Sequence, residues 1–579
     1  MTENNMRKKN NNIKGPIAPK DPVEKRSSIY LMVDSDIEAG SRNEGKPSEE
    51  IYLEGRIRSA AEFIGGVTDE EILSLLESCE GFHKLVHSIG VSILATDESV
   101  EKVNFVLQNW GKTNKYESGT TLRITCPADG SEVIINVADH EWSPDDDILG
   151  KFAFEFDQVG QIAKATVKFY LNDGYEVPEL IIDPPVDFES KEYGKMIARS
   201  LLNKGNNWRL KKAIEKAERG EEVTIAFIGG YITQGAGGKP INTNCYAYQA
   251  YLRFKELFAK DGGDNIHFIK AGVGGTPSQL GIIRYERDIL RDGKIKPDIV
   301  VVEFAVNDAG DETKGVCYES LVLKILSAEN KPAVILLFSV FENDWNLQDR
   351  LAPVGVHYNL PMVSVKDAVV EQFYLTREEG NIISKRQFFY DIYHPTNDGH
   401  RVMADCLAFL FAETSKEQRD KEDIQIDKEP VIGNYFKDIR LLDRKTNTQW
   451  AVVDEGGFTE TDRDLQLVEM DLDSHGTAQF PYNWMRTPSS GDESFKMTIK
   501  CKGLMLVFKD SGSSEFGRAE VYVDGKHVLT ADPHINNWTH CNPVILYQEE
   551  EAKEHEIEIK MAPGEEDKCF TILGFGYVL

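Results

Sequence analysis

Between residues 223 and 365, short and almost unbroken apolar runs alternate with stretches of helical periodicity. That alternation leaves few architectures open. VTIAFI (223–228), NIHFIKA (265–271), DIVVVEFAV (298–306), AVILLFSV (333–340) and MVSV (362–365) have the composition of strands covered on both faces, as in a parallel sheet. CYAYQAYLRFKELFA (245–259) and ESLVLKILSA (319–328) lie between them and read as helices, and WRLKKAIEKAERGE (208–221) precedes the first run, with Gly220 at a helix end. Strands alternating with helices predict an α/β domain around a central parallel sheet.

The flanks differ. KVNFVLQ (102–108), TTLRI (120–124), SEVIINV (131–137), KFAFEF (151–156) and ATVKFYL (165–171) are β-branched or aromatic runs parted by turn residues such as Asp129-Gly130 and Asp173-Gly174. One helix, DEEILSLLESC (69–79), interrupts them. LMLVFKD (504–510), AEVYVDGKHVLTA (519–531) and HEIEIKM (555–561) alternate apolar and polar residues, and Asp524-Gly525 marks a hairpin. At 579 residues the chain exceeds what one hydrophobic core organises. The expected division is a disordered Asn/Lys-rich segment 1–28, a β-rich sandwich 29–185, the α/β domain 186–420, and a second, jelly-roll-like β-sandwich 430–579.

A net charge of -30 argues against nucleic acid or an anionic membrane as partner, since a phosphate surface would be repelled. No stretch approaches the length of a membrane span, and the polar, basic first residues do not read as a secretory signal. Eight cysteines without a CxxC pair suit a reduced, cytoplasmic protein. No cluster demands a metal, and no cofactor is expected: the glycine-rich turn after residue 228 matches neither GxGxxG nor GxxxxGK[ST].

In a parallel α/β sheet, functional groups gather outside the carboxyl ends of the strands. GGYITQG (229–235), AGVGGTPSQLG (271–281) and FAVND (304–308) stand at successive strand ends, and DIYHP (391–395) precedes a final helix. Singly each is weak. An Asn-Asp pair is more often a cap or turn, and an Asp three residues before a His can be a local hydrogen-bonded pair. In this order the four blocks resemble the SGNH (GDSL-like) hydrolases, esterases and deacetylases on a flavodoxin-like sheet, over about 225 residues. GNNWRLKKAIEKAERGEEVTIAFIGG (205–230) is similar to a bacterial carbohydrate-esterase-like subgroup.

The resemblance implies roles. His394 is the general base, Asp391 orients it, and Gly275 N–H, Asn307 Nδ2–H and the N–H of residue 231 form the oxyanion hole. Asp308 supports the Asn307 loop or is purely structural. The family's nucleophilic serine falls at Tyr231. A phenol oxygen at the end of a rigid ring cannot occupy the point where a serine oxygen meets both base and acyl carbon. Thr233 sits where the family has a structural threonine. His400 reads as local packing. The aromatic cluster Phe388, Phe389 and Tyr390 lines the site or anchors its loop. Trp538, His540 and Tyr547 are expected in the core of the second sandwich rather than on a sugar-binding surface.

The implied function is an acetylesterase acting on acetylated xylo- or manno-oligosaccharides through an acyl-enzyme, impaired by Tyr231. Two further readings stand beside it: a glycan-binding pseudoenzyme, and a lipase or thioesterase.

Overall fold

The protein is described here by a computed structural model covering residues 23–40 and 46–579. The expected disordered segment 1–28 falls mostly on residues 1–22, outside the described residues. A 3-10 turn spans Val23–Lys25 and the first strand begins at Ser28. The chain divides into two compact units, Met1–Ile182 and Asp183–Leu579.

The first unit holds two four-stranded antiparallel sheets. One runs Ser28–Glu38, Ile162–Leu171, Val86–Ala95, Asp129–Asn136; the other runs Ser48–Tyr52, Asp146–Glu155, Lys102–Gly111, Thr121–Pro127. Alternate residues of Ile162–Leu171 are buried, so one face of the strand enters the core. Phe105, Phe152, Phe154 and Phe169 from both sheets meet in a single apolar cluster. The expected helix is two helices. Asp69 caps Glu70–Leu76 by accepting from the Glu71 and Ile72 N–H groups, and Ser78 caps Cys79–Leu85 by accepting from Gly81 N–H. Ser78 stops the first helix because its hydroxyl serves the second as a cap.

In the second unit the apolar runs form parallel strands β1 (Val223–Gly229), β2 (Ile266–Gly272), β3 (Ile299–Glu303), β4 (Ala333–Phe338) and β5 (Met362–Ser364). Their order is β2-β1-β3-β4-β5, with the short strand Leu201–Asn203 antiparallel at the β5 edge. This is the doubly wound, flavodoxin-like order, whose direction of winding reverses between β1 and β3. The helices α1 (Tyr231–Gln234), α2 (Tyr246–Phe258), α3 (Ser278–Asp288), α4 (Val316–Leu326) and α5 (Asn397–Lys416) connect or follow the strands.

The remainder builds an eight-stranded antiparallel sheet around the long strands β6 (Phe495–Asp510), β7 (His540–Met561) and β8 (Phe570–Val578). Ala519–Val523 pairs with Lys526–Ala531 through the expected hairpin, Asp524 and Gly525 both having positive φ. Ile283 and Phe304 of the α/β layer share one buried cluster with Met505, Val507 and Leu573 of this sheet. Among the described residues, no helix is long and apolar enough to cross a membrane. All eight cysteines are unpaired.

Arg284 ties the carboxyl ends of two strands together. Fully buried, it donates to Gly229 O at 2.9 Å and Ala271 O at 2.8 Å, and pairs with Asp288 at 3.2 Å. Arg284→Leu takes a donor from Ala271 O and leaves Gly229 O to the Val273 N–H and Asp288 to Arg287 alone. The expected cost is about 1–3 kcal/mol, read as a lower denaturant midpoint with an unchanged slope.

Candidate active site

The chain leaves β1 at Gly229 and enters α1 at Tyr231, so residue 231 stands at the carboxyl end of the central strand beside the reversal in winding. Gly230 is packed so closely that a Cβ there would overlap the Asn307 side-chain amide. The Tyr231 ring covers the next strand's glycine turn: a Cβ on Gly274 would fall 2.5 Å from its Cε1. Thr233 points inward, its hydroxyl 2.8 Å from Tyr246 OH and 3.2 Å from Glu303 Oε2. It is fully buried and turned away from the site.

The DIYHP loop reaches the same place. Asp391 Oδ1 accepts from the N–H groups of Tyr393 and His394, each at 2.8 Å, and Oδ2 accepts from His394 Nδ1 at 2.8 Å. A carboxylate can only accept, so Nδ1 carries the proton and Nε2 presents its lone pair. Nε2 is buried and has no hydrogen-bond partner. The imidazole stands edge-to-face with the Tyr231 ring, centroids 5.0 Å apart at 71°. Phe388 and Phe389 are buried and anchor this loop. His400 accepts from Tyr246 N–H and donates to Ala236 O, and burial pushes it down to about 4; it packs locally.

The glycine turn is held on most sides. Gly274 N–H donates to Gln234 Oε1 at 2.9 Å, Gly274 O accepts from Gln466 Nε2 at 2.8 Å, and Gly275 O accepts from His540 Nε2 at 2.8 Å. Gly275 has φ +70°, a conformation glycine adopts without strain. Among the described residues its N–H has no hydrogen-bond partner. Asp308 accepts from Ser278 N–H at 2.7 Å and Ser278 Oγ at 2.9 Å, which fixes the start of α3 behind the Asn307 loop. Burial, with Asp311 nearby, holds its carboxyl well above the usual range. Asn307 Oδ1 is buried and unpartnered. Two such polar atoms, His394 Nε2 and Asn307 Oδ1, flanking one position are the mark of a site built for a ligand rather than for stability.

Beneath residue 231, Glu303 is fully buried and accepts from the Ser339 and Thr233 hydroxyls; burial raises it to about 7. A carboxyl raised on folding stabilises most at low pH, and the gain is lost as pH climbs from its ordinary 4.5 through about 7. Glu303→Gln removes that dependence. Between pH 5 and 8 the parent is expected to lose on the order of 3 kcal/mol more than the variant, measured by denaturant unfolding at both pH values.

Trp538 and His540 are not in the core of the C-terminal region, contrary to expectation. Trp538 is half-buried, its ring centroid 6.0 Å from that of Tyr231 and its Cζ2 2.8 Å from a Cβ placed on Gly275. The segment HINNWT (534–539), just before β7, is a loop whose Ile535, Asn536 and Asn537 are exposed. A tryptophan after three polar or exposed residues, off any strand alternation, is the signal that was available. Tyr547 does pack inside, against His555 and the Cys501 thiol. Gln466, Asn536 and Glu469, which accepts from Gln234 Nε2 at 2.7 Å, carry no motif and were not foreseen.

Residues 227–402 match the GDSL-like Lipase/Acylhydrolase family. Among solved structures the chain is similar to a two-domain esterase (CEX) active on acetylated mannans, at 27% identity and TM-score 0.57, covering 66% of this chain and 99% of that one. The same esterase co-crystallized with mannopentaose matches at 27% identity and TM-score 0.56, over 66% and 98%. No curated protein matches. The chain therefore carries an SGNH/GDSL-type ester hydrolase domain.

Proposed function

We propose that this ester hydrolase is a carbohydrate O-acetyl esterase acting on acetylated manno-oligosaccharides, with Tyr231 standing where the reaction needs a serine. The observation that carries the reading is the Asp391–His394 pair, with Nε2 unpartnered and the imidazole edge-to-face against Tyr231 at the reversal point of the sheet. In the serine form, His394 takes the hydroxyl proton as oxygen attacks the acetyl carbon, then returns it to the departing sugar hydroxyl. Asp391 keeps the imidazole in the required tautomer and stabilises its cation. Gly275 N–H, Asn307 Nδ2–H and the N–H of residue 231 receive the oxyanion; a preorganised donor of this kind is worth about 2.7–4 kcal/mol. Asp308 supports the loop. We read the β-rich regions flanking the domain as β-sandwich modules.

The sugar assignment rests on the similarity to the esterase active on acetylated mannans. A second reading, binding without hydrolysis, is favoured by the Tyr231 ring itself, which fills the space over Gly274. Acetate release from acetylated manno-oligosaccharides, measured for the chain and for Tyr231→Ser, tests the proposal. Release by neither, with normal folding, overturns it. Binding by the parent alone leaves the second reading.

A further inference from the structure

We infer that His540, held by Asn536 and Asp510, is a positioning residue for the oxyanion hole: a relay in the C-terminal β region aims the Gly275 N–H at the reacting carbonyl. The inference rests on the esterase reading of the site. Each link is present. Asp510 is fully buried, and its Oδ2 accepts from Asn536 N–H at 3.0 Å and from Asn536 Nδ2 at 2.7 Å. That fixes the Asn536 amide with its NH₂ toward the carboxylate. The second hydrogen on Nδ2 faces His540 Nδ1 at 3.4 Å. His540 Nε2 lies 2.8 Å from Gly275 O, which can only accept, so the imidazole carries its proton on Nε2 and offers Nδ1 as acceptor. One tautomer satisfies both contacts. Burial pushes the ring down to about 4, so it is neutral near pH 7.

The consequence falls on two successive peptide planes, one carrying Gly274 O and the Gly275 N–H, the next carrying Gly275 O. Gly274 is tied at its N–H by Gln234 and at its carbonyl by Gln466, and Gln466 is itself oriented by Cys541 N–H on its Oε1. Gly275 is tied only at its carbonyl, by His540. Gln466 anchors the plane that contains the Gly275 N–H, His540 anchors the plane that follows, and together they fix the backbone angles of Gly275; among the described residues the Gly275 N–H, like that of Thr276, has no partner. Its φ of +70° is a shallow glycine well, so the turn would relax if the carbonyl anchor were lost. Oxyanion donors act because they need no reorganisation at the moment of reaction. An anchor of this kind therefore contributes to turnover rather than to substrate binding.

The test uses two readouts on the full chain. The first is amide hydrogen exchange over residues 272–279 with Tyr231 in place. His540→Leu is expected to speed exchange at this turn and leave β1 and β3 protected; His540→Gln, which retains a donor, restores protection. The second is turnover of an aryl acetate in the Tyr231→Ser background. There His540→Leu is expected to lower kcat by about 10- to 100-fold with KM changed less than twofold, below the about 10²–10³ that outright loss of a donor costs, and His540→Gln to recover most of it. Asn536 is exposed, so Asn536→Leu, checked for the parent's unfolding midpoint and expected to give a smaller loss in the same direction, separates the relay from misfolding of the buried variant. Unchanged exchange at the turn, unchanged kcat, or a rise in KM that accounts for the loss overturns the inference. If Tyr231→Ser itself releases no acetate, the esterase reading fails, and exchange alone still decides whether His540 holds the turn.

Discussion

Tyr231→Ser is expected to raise the kcat for aryl acetates and acetylated manno-oligosaccharides by about 10³-fold or more. The scale follows from what a nucleophile is worth when the rest of its machinery is present. In serine proteases, deleting the serine costs about 10⁶ in kcat, while the oxyanion hole and binding retain about 10³–10⁴ over water. Here the machinery is in place: a base with its proton on the far nitrogen, an orienting carboxylate, and a glycine turn clamped at three points. What is missing is an oxygen on a short side chain. The Tyr231 ring lies against His394 and Gly274, so shortening the side chain both supplies the hydroxyl and clears the space over the turn. Product release and labelling by a serine-reactive phosphonate are the measurements. A serine variant that folds like its parent, remains inert and takes no label sinks the assignment of residue 231.

The second large effect is conditional on the first. In the serine background, His394→Gln is expected to lower kcat by about 10⁴-fold or more, because base and nucleophile act as one unit. In the parent chain the same substitution is expected to change the slow ester hydrolysis less than tenfold, since no hydroxyl depends on that base. Four chains assayed side by side form a double-mutant cycle. Equal losses in both backgrounds would mean that His394 acts on water or holds structure, and the acyl-transfer scheme would fall.

The strands of the α/β layer were legible because burial on both faces demands uninterrupted apolar residues. Each of the runs ending at residues 228, 271, 306, 340 and 365 overlaps a strand of the sheet, two of the strands extending one residue further. At the ends of these strands Tyr231 lies against His394 and Gly230 against Asn307. Less of the first unit could be read. Ser28–Glu38 is broken by bulges and a positive φ at Asp34, so its side chains do not alternate cleanly. The Ser78 cap that splits one helix into two resembles an ordinary interior serine until the partner N–H is known. The largest omission lies in the site itself. Gln466, Glu469, Asn536, Trp538 and His540 reach it from more than 60 residues beyond His394, the first four on loops and His540 at the start of β7. A hydrogen bond from a side chain to a distant carbonyl leaves no periodicity and no motif, so nothing in the chain before folding distinguishes His540 from any other histidine.

The buried cluster that joins Ile283 and Phe304 to Met505, Val507 and Leu573 bears on how such a protein can be dissected. A fragment ending near residue 420 would bare the apolar flank of α3 and lose the side chains that grip the glycine turn, so it is not a minimal enzyme. Nor can the last 150 residues be exchanged as an interchangeable attachment, since a transplanted substitute would need to match both an oily seam and a set of atom-specific grips. A change of volume on either side of that seam must be met by the other, so the two layers stand or fall together.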